Sequence, residues 1–448
     1  MGHSFRKWQV VSVLALLSPL AACGDDVRGD ATAGANTSGI TVTAGLTTPE
    51  TESEGEDADG SAGDETGMKL DTGGGSGPLG AVGYIWIANS AEGTVSKIRT
   101  ETMVEEGRYL TRPDGAGDPS RTSVSLRGNV AVANRAGGVV KIYGAEQDCV
   151  DANGNGQIDT STGPEDVLPW PDECVAWYTP MEYQSQRAIA WTGGDNSPEG
   201  GIVNEKIWVS GDNPGDAPVV DIMLMNGDDG TVEDLVTVNL SEQGPMGFPY
   251  RAYGGAVDAE GNFWFSSLGH PANIIRVSRT DFTDRQWLKP DWSYGITVDR
   301  KGRVWTCEVN VARFDPATET WEARYHTEVG LADLTEFEPG GCMVDANDII
   351  WVPARIGEDA YGIAGVNADT LEGVALYELP GHVHGVSIDF EDQVWGVSGV
   401  WGGGSQGTDA YRVNPSTGEF DTFTGLNGAY TYSDMTGFAL GGVTMPVG

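Results

Sequence analysis

A short apolar segment, centred in six of seven cases on tryptophan, recurs along the chain from residue 83 onward. Its central positions are Trp86, Ala131, Trp208, Trp264, Trp305, Trp351 and Trp395. Most of the intervals between them are about 41 to 46 residues, and a complete interval holds enough alternating apolar and polar positions for four short strands. This period is typical of a β-propeller blade. The sequence therefore predicts an all-β fold, a seven-bladed β-propeller over residues 81–448.

The repeating units share an internal order that also predicts how the ring closes. In four units a glycine that opens an inner strand lies ten residues before the central tryptophan, at Gly254, Gly295, Gly341 and Gly385. The first unit begins at Tyr84 without an inner strand, whereas the pattern at Thr436–Leu440 resembles an inner strand without its tryptophan. We expect these C-terminal and N-terminal strands to pair in one blade, which removes a free sheet edge.

One repeat is specific enough to suggest a family. Gly295-Ile-Thr-Val-Asp299 followed by Gly302-Arg-Val-Trp305 resembles the repeats of virginiamycin B lyase and, more loosely, those of NHL-repeat and regucalcin-like propellers. The resemblance covers roughly residues 83–440 and is interrupted once. Repeats of this kind imply the fold much more strongly than they imply any chemistry.

The N-terminus predicts a targeting segment rather than part of the fold. Arg6 and Lys7 precede a mostly apolar run that is too short to span a bilayer and ends in Leu20-Ala-Ala-Cys23. This ending resembles the lipobox of bacterial lipoproteins. It implies a signal peptide over 1–22, lipidation of Cys23 and a membrane anchor in the cell envelope. Gly24, in place of the Asp that retains lipoproteins at the inner membrane, favours the outer membrane and leaves the periplasmic or surface side open.

Residues 23–80 predict an acidic tether behind the lipidated cysteine. The segment has almost no large apolar side chains, so it cannot offset its own ordering entropy and is expected to be disordered. The whole chain carries 66 acidic and 26 basic residues, a formal net charge of −40. Such a charge repels phosphate backbones, so we expect no nucleic-acid partner. We expect a monomeric head.

A cysteine-bracketed insertion over 148–175 interrupts the repeat and carries candidate cation ligands. The run Asp151-Ala-Asn-Gly-Asn-Gly-Gln-Ile-Asp159 resembles the calcium loops of EF-hand, dockerin and thrombospondin type 3 modules. That resemblance implies that Asp151, Asn153, Asn155 and Asp159 are side-chain ligands. Gln157 would contribute its backbone carbonyl. Thr162 replaces the bidentate glutamate of an EF-hand, so we expect a structural Ca²⁺ rather than a sensor. The alternative is a turn-rich insertion held only by a disulfide.

Five cysteines are compatible with an oxidising compartment. With Cys23 lipidated, four remain, and three pairings are possible. We prefer Cys149–Cys174, which brackets the insertion, and Cys307–Cys342, which joins neighbouring blades.

Candidate ligand-binding residues gather on the face where the inner strands begin and the second strands end. The positions that the repeat places there include Arg121, Arg135, Arg187, Arg251, Tyr294 and Arg355. Clustered guanidinium groups in so acidic a protein favour a carboxylate, sulfate or phosphate. The alternative is that each arginine pairs with a nearby aspartate or backbone carbonyl.

The lyase resemblance implies a second candidate site. That family combines a histidine before the glycine of an inner strand with a glutamate at the end of a second strand, and His384 and Glu308 match these positions. His384 would then act as the base and Glu308 would lie near a metal such as Mg²⁺. His382, however, stands where the last blade of the family has a glutamate. We therefore predict an envelope-anchored binding module for an anionic small molecule, a glycan or a partner protein. The alternative functions are a metal-dependent C–O lyase or hydrolase, or a purely structural scaffold.

Overall fold

Seven small antiparallel sheets make up the propeller. The structure is a computed structural model, and it describes residues 83–198, 201–213, 218–240, 251–399 and 406–444. Each of the seven sheets corresponds to one predicted repeat, and each central residue is buried. In blades 2 to 7 this residue lies in the second strand from the inner edge, and in blade 1 it lies in the first of three strands. The predicted seven-bladed, all-β fold is confirmed. Within the described residues no helix is long and apolar enough to cross a membrane.

The strands of the first three blades follow the predicted order, with an insertion in blade 2 and a small hairpin in blade 3. Blade 1 comprises β1 (Tyr84–Asn89), β2 (Thr94–Arg99) and β3 (Glu105–Leu110), and blade 2 comprises β4 (Pro119–Val124), β5 (Val130–Asn134), β6 (Val139–Ile142) and β7 (Val175–Thr179). Blade 3 comprises β8 (Ile189–Trp191), β11 (Lys206–Gly211), β12 (Val219–Asn226) and β13 (Val232–Asn239), with the hairpin β9 (Asp195–Asn196) and β10 (Ile202–Val203) between its first two strands. The predicted insertion lies between β6 and β7, and so within blade 2.

The remaining four blades are more regular. Blade 4 comprises β14 (Gly254–Val257), β15 (Phe263–Ser266), β16 (Ala272–Val277) and β17 (Asp284–Lys289), and blade 5 comprises β18 (Gly295–Val298), β19 (Val304–Cys307), β20 (Asn310–Asp315) and β21 (Thr320–Tyr325). Blade 6 comprises β22 (Leu334–Phe337), β23 (Met343–Val344), β24 (Ile349–Ile356), β25 (Ala360–Asn367) and β26 (Gly373–Leu379). Blade 7 comprises β27 (Gly385–Ile388), β28 (Val394–Val397), β29 (Asp409–Val413) and β30 (Phe420–Thr424).

The ring closes through a C-terminal segment that lies earlier than the sequence predicts. Residues 429–435, here called the closing segment, run beside β1: Asn89 and Ala429 form a bridge, and the Trp86 amide donates to the Met435 carbonyl at 2.9 Å. The predicted strand at Thr436–Leu440 is wrong, because Phe438–Thr444 forms the short helix α1. Two carboxylate oxygens of Asp434 accept the amide hydrogens of Gly437 and Leu440, and these bonds satisfy backbone donors at the start of the helix.

Close packing of the inner strands requires glycine at or just before their first residues. A Cβ atom on Gly295 would clash with the carbonyl of Gly340, one on Gly340 with the carbonyl of His384, and one on Gly385 with the carbonyl of Thr431. Each clash would involve the neighbouring blade, so these glycines allow the backbones to approach closely around the propeller axis.

Blades 4 to 7 share a buried polar contact between the inner and second strands. An aspartate just after the inner strand accepts the indole N–H of the central tryptophan at 2.8 Å, as in the pairs Asp258–Trp264, Asp299–Trp305, Asp345–Trp351 and Asp389–Trp395. In blade 7 the same Asp389 oxygen also accepts from Arg412 at 3.0 Å. The tryptophans thus bury their rings in the blade core with a satisfied N–H group.

Both preferred disulfides are present. Cys149 is bonded to Cys174, and Cys307 is bonded to Cys342. The first closes the insertion at its base, and the second joins blade 5 to the segment that leads into β23. Each stabilises the fold by about 3 kcal/mol through restriction of the unfolded chain.

Candidate anion-binding site on the propeller axis

Six of the seven blades contribute a large side chain from the beginning of the inner strand to one buried group, here called the axial cluster. Tyr253, Tyr294 and His384 each directly precede the inner strand of their blade, and Arg187 lies two residues before β8. The other members lie within β4 and the closing segment: Arg121, Tyr430 and Tyr432. All seven side chains are buried. Blade 6 has Gly340 at the equivalent place and contributes no side chain.

Three tyrosine hydroxyl groups meet at the centre of the axial cluster. The Tyr294 and Tyr430 oxygens are 2.7 Å apart, the Tyr253 and Tyr430 oxygens 2.9 Å, and the Tyr253 and Tyr294 oxygens 3.2 Å. Burial raises the pKa of Tyr253 and Tyr294, so both phenols are neutral at pH 7. The triangle therefore offers neutral O–H donors that can turn toward an acceptor.

Arg121 is the fully buried cation of this group. Its guanidinium carbon lies 3.1 Å from the ring centre of Tyr432 and 5.0 Å from that of Tyr253, which are cation–π distances. Among the residues that the structure describes, no aspartate or glutamate forms a hydrogen bond or an ion pair with it. Burial lowers the pKa of Arg121 to about 9, so it remains a cation at neutral pH.

His384 is a buried, neutral member of the axial cluster. Its ring centre lies 4.7 Å from that of Tyr430 and 5.0 Å from that of Tyr432, and its Nε2 is 3.5 Å from the Tyr294 hydroxyl. Burial lowers the pKa of His384 well below its usual range. Its Nδ1 atom is buried without a hydrogen-bond partner.

The other predicted arginines differ in their surroundings. Arg187 stacks on Tyr253 at 5.0 Å, and Arg135 lies 4.9 Å from the Tyr430 ring and pairs with Asp118. By contrast, Arg251 pairs with Asp212 at 2.5 Å, and Arg355 pairs with Glu338 at 2.7 Å. The structure thus brings Arg121, Arg187, Arg135 and Tyr294 around one set of aromatic rings. Arg135, Arg251 and Arg355 each also have a carboxylate partner.

Glu308 lies in a different environment from His384. Burial raises its pKa to about 7, while the nearby ammonium of Lys289 opposes this effect and Asp291 adds to it. His382 is 3.8 Å from Glu338 through Nε2, and its ring centre is 6.4 Å from that of His384. Within the described ranges, no group of three or more His, Cys, Asp or Glu side chains is arranged to hold a metal ion. The lyase assignment of His384 and Glu308 stays a prediction.

The predicted calcium loop folds around its own polar side chains. Asp159 accepts the amide N–H groups of Asn153 at 2.6 Å and Asn155 at 2.8 Å, and Asp151 accepts backbone amides from Gly154 to Gly156. The backbone of Gln157 donates to the Asn155 side-chain oxygen at 2.8 Å. The four predicted side-chain ligands are therefore close together in one loop.

Glu173 was not predicted as part of this loop. Its carboxylate accepts the backbone amides of Ala152 and Asp159 at 3.0 and 2.7 Å. The disulfide at the neighbouring Cys174 holds it there. Asp166 accepts hydrogen bonds from the backbone and the hydroxyl of Thr162, the residue at the twelfth loop position.

Tyr430 and Tyr432 are the members of the axial cluster that the repeat did not place at the beginning of an inner strand. The closing strand was predicted five to seven residues too late, so the repeat gave these tyrosines no place on the axis. A usable signal was present, because Tyr430 and Tyr432 alternate with small polar residues in a segment that otherwise has no assigned strand.

Comparisons with known proteins support the fold alone. No protein-family model and no curated protein matches the chain. A solved structure of a proposed 6-phosphogluconolactonase from Bacteroides uniformis is similar with a TM-score of 0.51 at 11% identity, covering 78% of this chain and 97% of that one. AztD from Citrobacter koseri has a TM-score of 0.44 at 10% identity over 78% and 96% of the two chains. Sqt1 from Saccharomyces cerevisiae has a TM-score of 0.47 at 10% identity over 76% and 82%. At these identities the similarity identifies the propeller class and no activity.

Proposed function

We propose that this protein is an envelope-anchored β-propeller that binds a small anionic molecule in the axial cluster. The observation that carries the proposal is Arg121, a guanidinium with 0% exposure that has no carboxylate partner among the described residues. An unpaired charge in a protein interior is costly, and an anion bound beside it removes much of that cost. The buried position favours a small molecule over a glycan chain or a protein surface.

The contrast with the neighbouring arginines supports this proposal. Arg251, Arg135 and Arg355 each have an aspartate or glutamate within the same propeller face. A chain with 66 acidic residues has many carboxylates from which to supply a partner. Arg121 is surrounded by tyrosines instead, and their hydroxyl groups can donate further hydrogen bonds to a bound anion.

The anchoring part of the proposal rests on the sequence. Cys23, the signal peptide over 1–22 and the acidic tether over 23–80 lie outside the described residues. The lipobox-like run before Cys23 supports a lipid anchor in the cell envelope, with the outer membrane favoured. The tether supports a head held away from the lipid surface.

We also propose that the insertion of blade 2 binds a structural Ca²⁺. The donors present suit a hard cation, since Asp151, Asn153, Asn155 and Asp159 offer carboxylate and amide oxygens close together. Asp151 accepts three backbone hydrogen bonds, and a carboxylate has about four lone-pair sites, so capacity for an ion remains. The third carboxylate, Glu173, increases the local negative charge that a cation would neutralise.

Anion binding is tested by calorimetry on the purified full chain. Small carboxylates, phosphate and sulfate are titrated at constant ionic strength into the wild type, Arg121→Gln and Arg285→Gln. The control Arg285 is exposed on an outer strand and pairs with Glu319. We expect at least one anion to bind the wild type and the control with equal affinity, and to bind Arg121→Gln at least tenfold more weakly. Binding that is equal in all three proteins would contradict the proposal.

A further inference from the structure

The unpaired nitrogens of Arg121 lie on one edge of its guanidinium group. Nη1 donates to the carbonyl and the hydroxyl of Ser120, at 3.3 and 3.1 Å. Nε and Nη2 are buried and have no hydrogen-bond partner. These two nitrogens point their N–H groups in parallel from the same side of the planar group, which is the edge that arginine uses for two-pronged binding.

We propose that the anion bound in the axial cluster is a carboxylate, held by two parallel hydrogen bonds from Nε and Nη2 of Arg121. This inference rests on the proposed anion-binding function and names the chemical class of its ligand. The two oxygens of a carboxylate have the spacing and planarity of this edge. The ligand is therefore an organic acid whose carboxylate lies in the plane of the guanidinium.

The ring of Tyr432 favours a planar group over a tetrahedral one. It covers one face of the guanidinium, with 3.1 Å between the ring centre and the guanidinium carbon. A carboxylate that is coplanar with the guanidinium has no atom projecting toward this ring. Phosphate and sulfate bound through the same edge would direct further oxygens out of the plane and against the aromatic face.

The charge in the cluster also suits a monoanion. Arg135 is neutralised by Asp118 and Arg251 by Asp212, and His384 is neutral. Arg121 carries one positive charge at this edge, which one carboxylate neutralises, whereas a dianionic phosphate would add a second negative charge that Arg121 alone does not balance. The three hydroxyl groups of the tyrosine triangle add neutral donors for a carboxylate oxygen or for a hydroxyl of the ligand.

Tyr430 lies near both the buried Arg121 and the partly exposed Arg135. Its ring lies 5.7 Å from the guanidinium carbon of Arg121 and 4.9 Å from that of Arg135, whose side chain is 21% exposed. Tyr432 also borders a small cavity of about 30 Å³ together with Ser123 and Ser433, which has room for about one water molecule. Displacement of these two rings would admit the carboxylate to Arg121.

The test compares isosteric ligands on the purified full chain by calorimetry and thermal shift. Acetate, benzoate and cyclohexanecarboxylate are compared with benzamide, methylphosphonate, phosphate and sulfate, each up to 50 mM at constant ionic strength. We expect a carboxylate to bind at least tenfold more tightly than its amide and than every tetrahedral anion. Arg121→Lys keeps the charge but loses the two-pronged edge, so we expect at least tenfold weaker binding. Arg285→Lys is the matched control and should bind as the wild type does.

The outcomes separate this inference from the broader function. Binding of phosphate or sulfate that depends on Arg121, with no carboxylate binding, would overturn the carboxylate and leave the anion site standing. Binding of no anion in an Arg121-dependent manner would overturn both. If the Arg121 variants do not fold, the comparison of benzoate with benzamide on the wild type decides the question, and equal binding overturns the inference.

Discussion

Arginine residues of this propeller are set apart by their neighbours rather than by their positions in the repeat. Arg251 and Arg121 both come from the beginning of an inner strand, yet one meets the carboxylate of Asp212 and the other meets tyrosine rings. The first arrangement needs no ligand to balance its charge, whereas among the described residues the second is stabilised by cation–π contacts and two bonds to Ser120. The candidate site is therefore defined by Arg121, which has no carboxylate counter-ion among the described residues.

The aspartate that follows each inner strand provides a residue-scale prediction for stability. In blade 7, Asp389 bonds both Trp395 and Arg412, whereas Asp345 of blade 6 bonds only Trp351 through the same oxygen. We expect Asp389→Ala to lower the free energy of unfolding by about 3 kcal/mol, because it leaves an indole N–H unpaired and removes the nearer carboxylate, at 3.0 Å, from a mostly buried guanidinium whose other carboxylate partner, Glu391, is 3.7 Å away. Asp345→Ala serves as the comparison and should cost about 1 to 2 kcal/mol. Chemical denaturation measures both, and an equal loss would show that Arg412 contributes nothing.

The buried carboxyl group of Glu205 makes the stability of the protein depend on pH. It is 7% exposed, and burial raises its pKa from 4.5 to about 7, although the charges of Arg127 and Lys141 oppose the shift. Between these two values the folded state binds more protons than the unfolded state, so stability falls as the pH rises from about 4.5 to 7. Glu205→Gln removes this loss, and we expect its free energy of unfolding at pH 8 to exceed that of the wild type by about 1 to 3 kcal/mol.

Glu233 of the same blade is the control for this prediction. Its hydrogen bond with Lys206 lowers its pKa, and its side chain is 33% exposed. Glu233→Gln should therefore leave stability at pH 8 within about 0.5 kcal/mol of the wild type or slightly below it. Denaturation curves at pH 5 and pH 8 distinguish the two variants. A Glu205→Gln protein that is less stable at pH 8 would contradict the account.

At the scale of elements, the strands centred on tryptophan were predictable and the closing segment was not. The Trp305 and Trp395 strands are short apolar runs that each follow, ten residues later, the glycine of an inner strand, and this local signal places them correctly. The pattern at Thr436–Leu440 has the same local character, but Asp434 bonds the backbone there and a helix begins at Phe438. The register of the inner strand in blade 1 depends on contacts with β1 at the other end of the chain, and no local pattern contains them.

The candidate site was predictable in part for the same reason. The repeat brought Arg121, Arg187 and Tyr294 to one face, since their places follow from strand order. It could not show which arginines have carboxylate partners. Asp212 and Glu338 lie in other strands or loops, at different sequence separations from Arg251 and Arg355, so no fixed spacing marks such a pair. Such pairing depends on the side-chain directions of the folded ring.

The insertion of blade 2 provides the element-scale prediction for metal binding. We expect calorimetry with Ca²⁺ to show one site in the wild type, with a dissociation constant near 10⁻⁴ M, about that of extracellular calcium modules. Asp151→Ala should lose this site, because it removes a carboxylate at the centre of the loop. Asp166→Ala, a change in the same insertion outside the loop, should retain it. A wild type that binds no Ca²⁺ would leave the insertion held by its disulfide alone.

At the scale of the whole molecule, the acidic chain is expected to be held at a membrane by its N-terminus. We predict that Cys23→Ser abolishes incorporation of a labelled fatty acid and moves the protein from the membrane fraction to the soluble fraction. Lipid chains at one cysteine supply the binding energy for the anchor, and the acidic head supplies none toward anionic lipids. Ser18→Ala, a change inside the apolar run, should leave labelling intact. A Cys23→Ser protein that remains labelled would place the anchor elsewhere.

The closing segment has a consequence for the order in which the protein can be completed. Blade 1 contains three strands from the N-terminal part of the propeller, and in the described part of the chain residues 429–435 cover its inner edge at β1. During synthesis or export, the edge of β1 therefore stays unpaired until almost the whole ring has emerged. An unpaired strand edge of this kind promotes aggregation. Premature termination or proteolytic loss of the last twenty residues would leave that edge open permanently. The ring can therefore close, and its β1 edge can be protected from aggregation, when residues 429–435 are present.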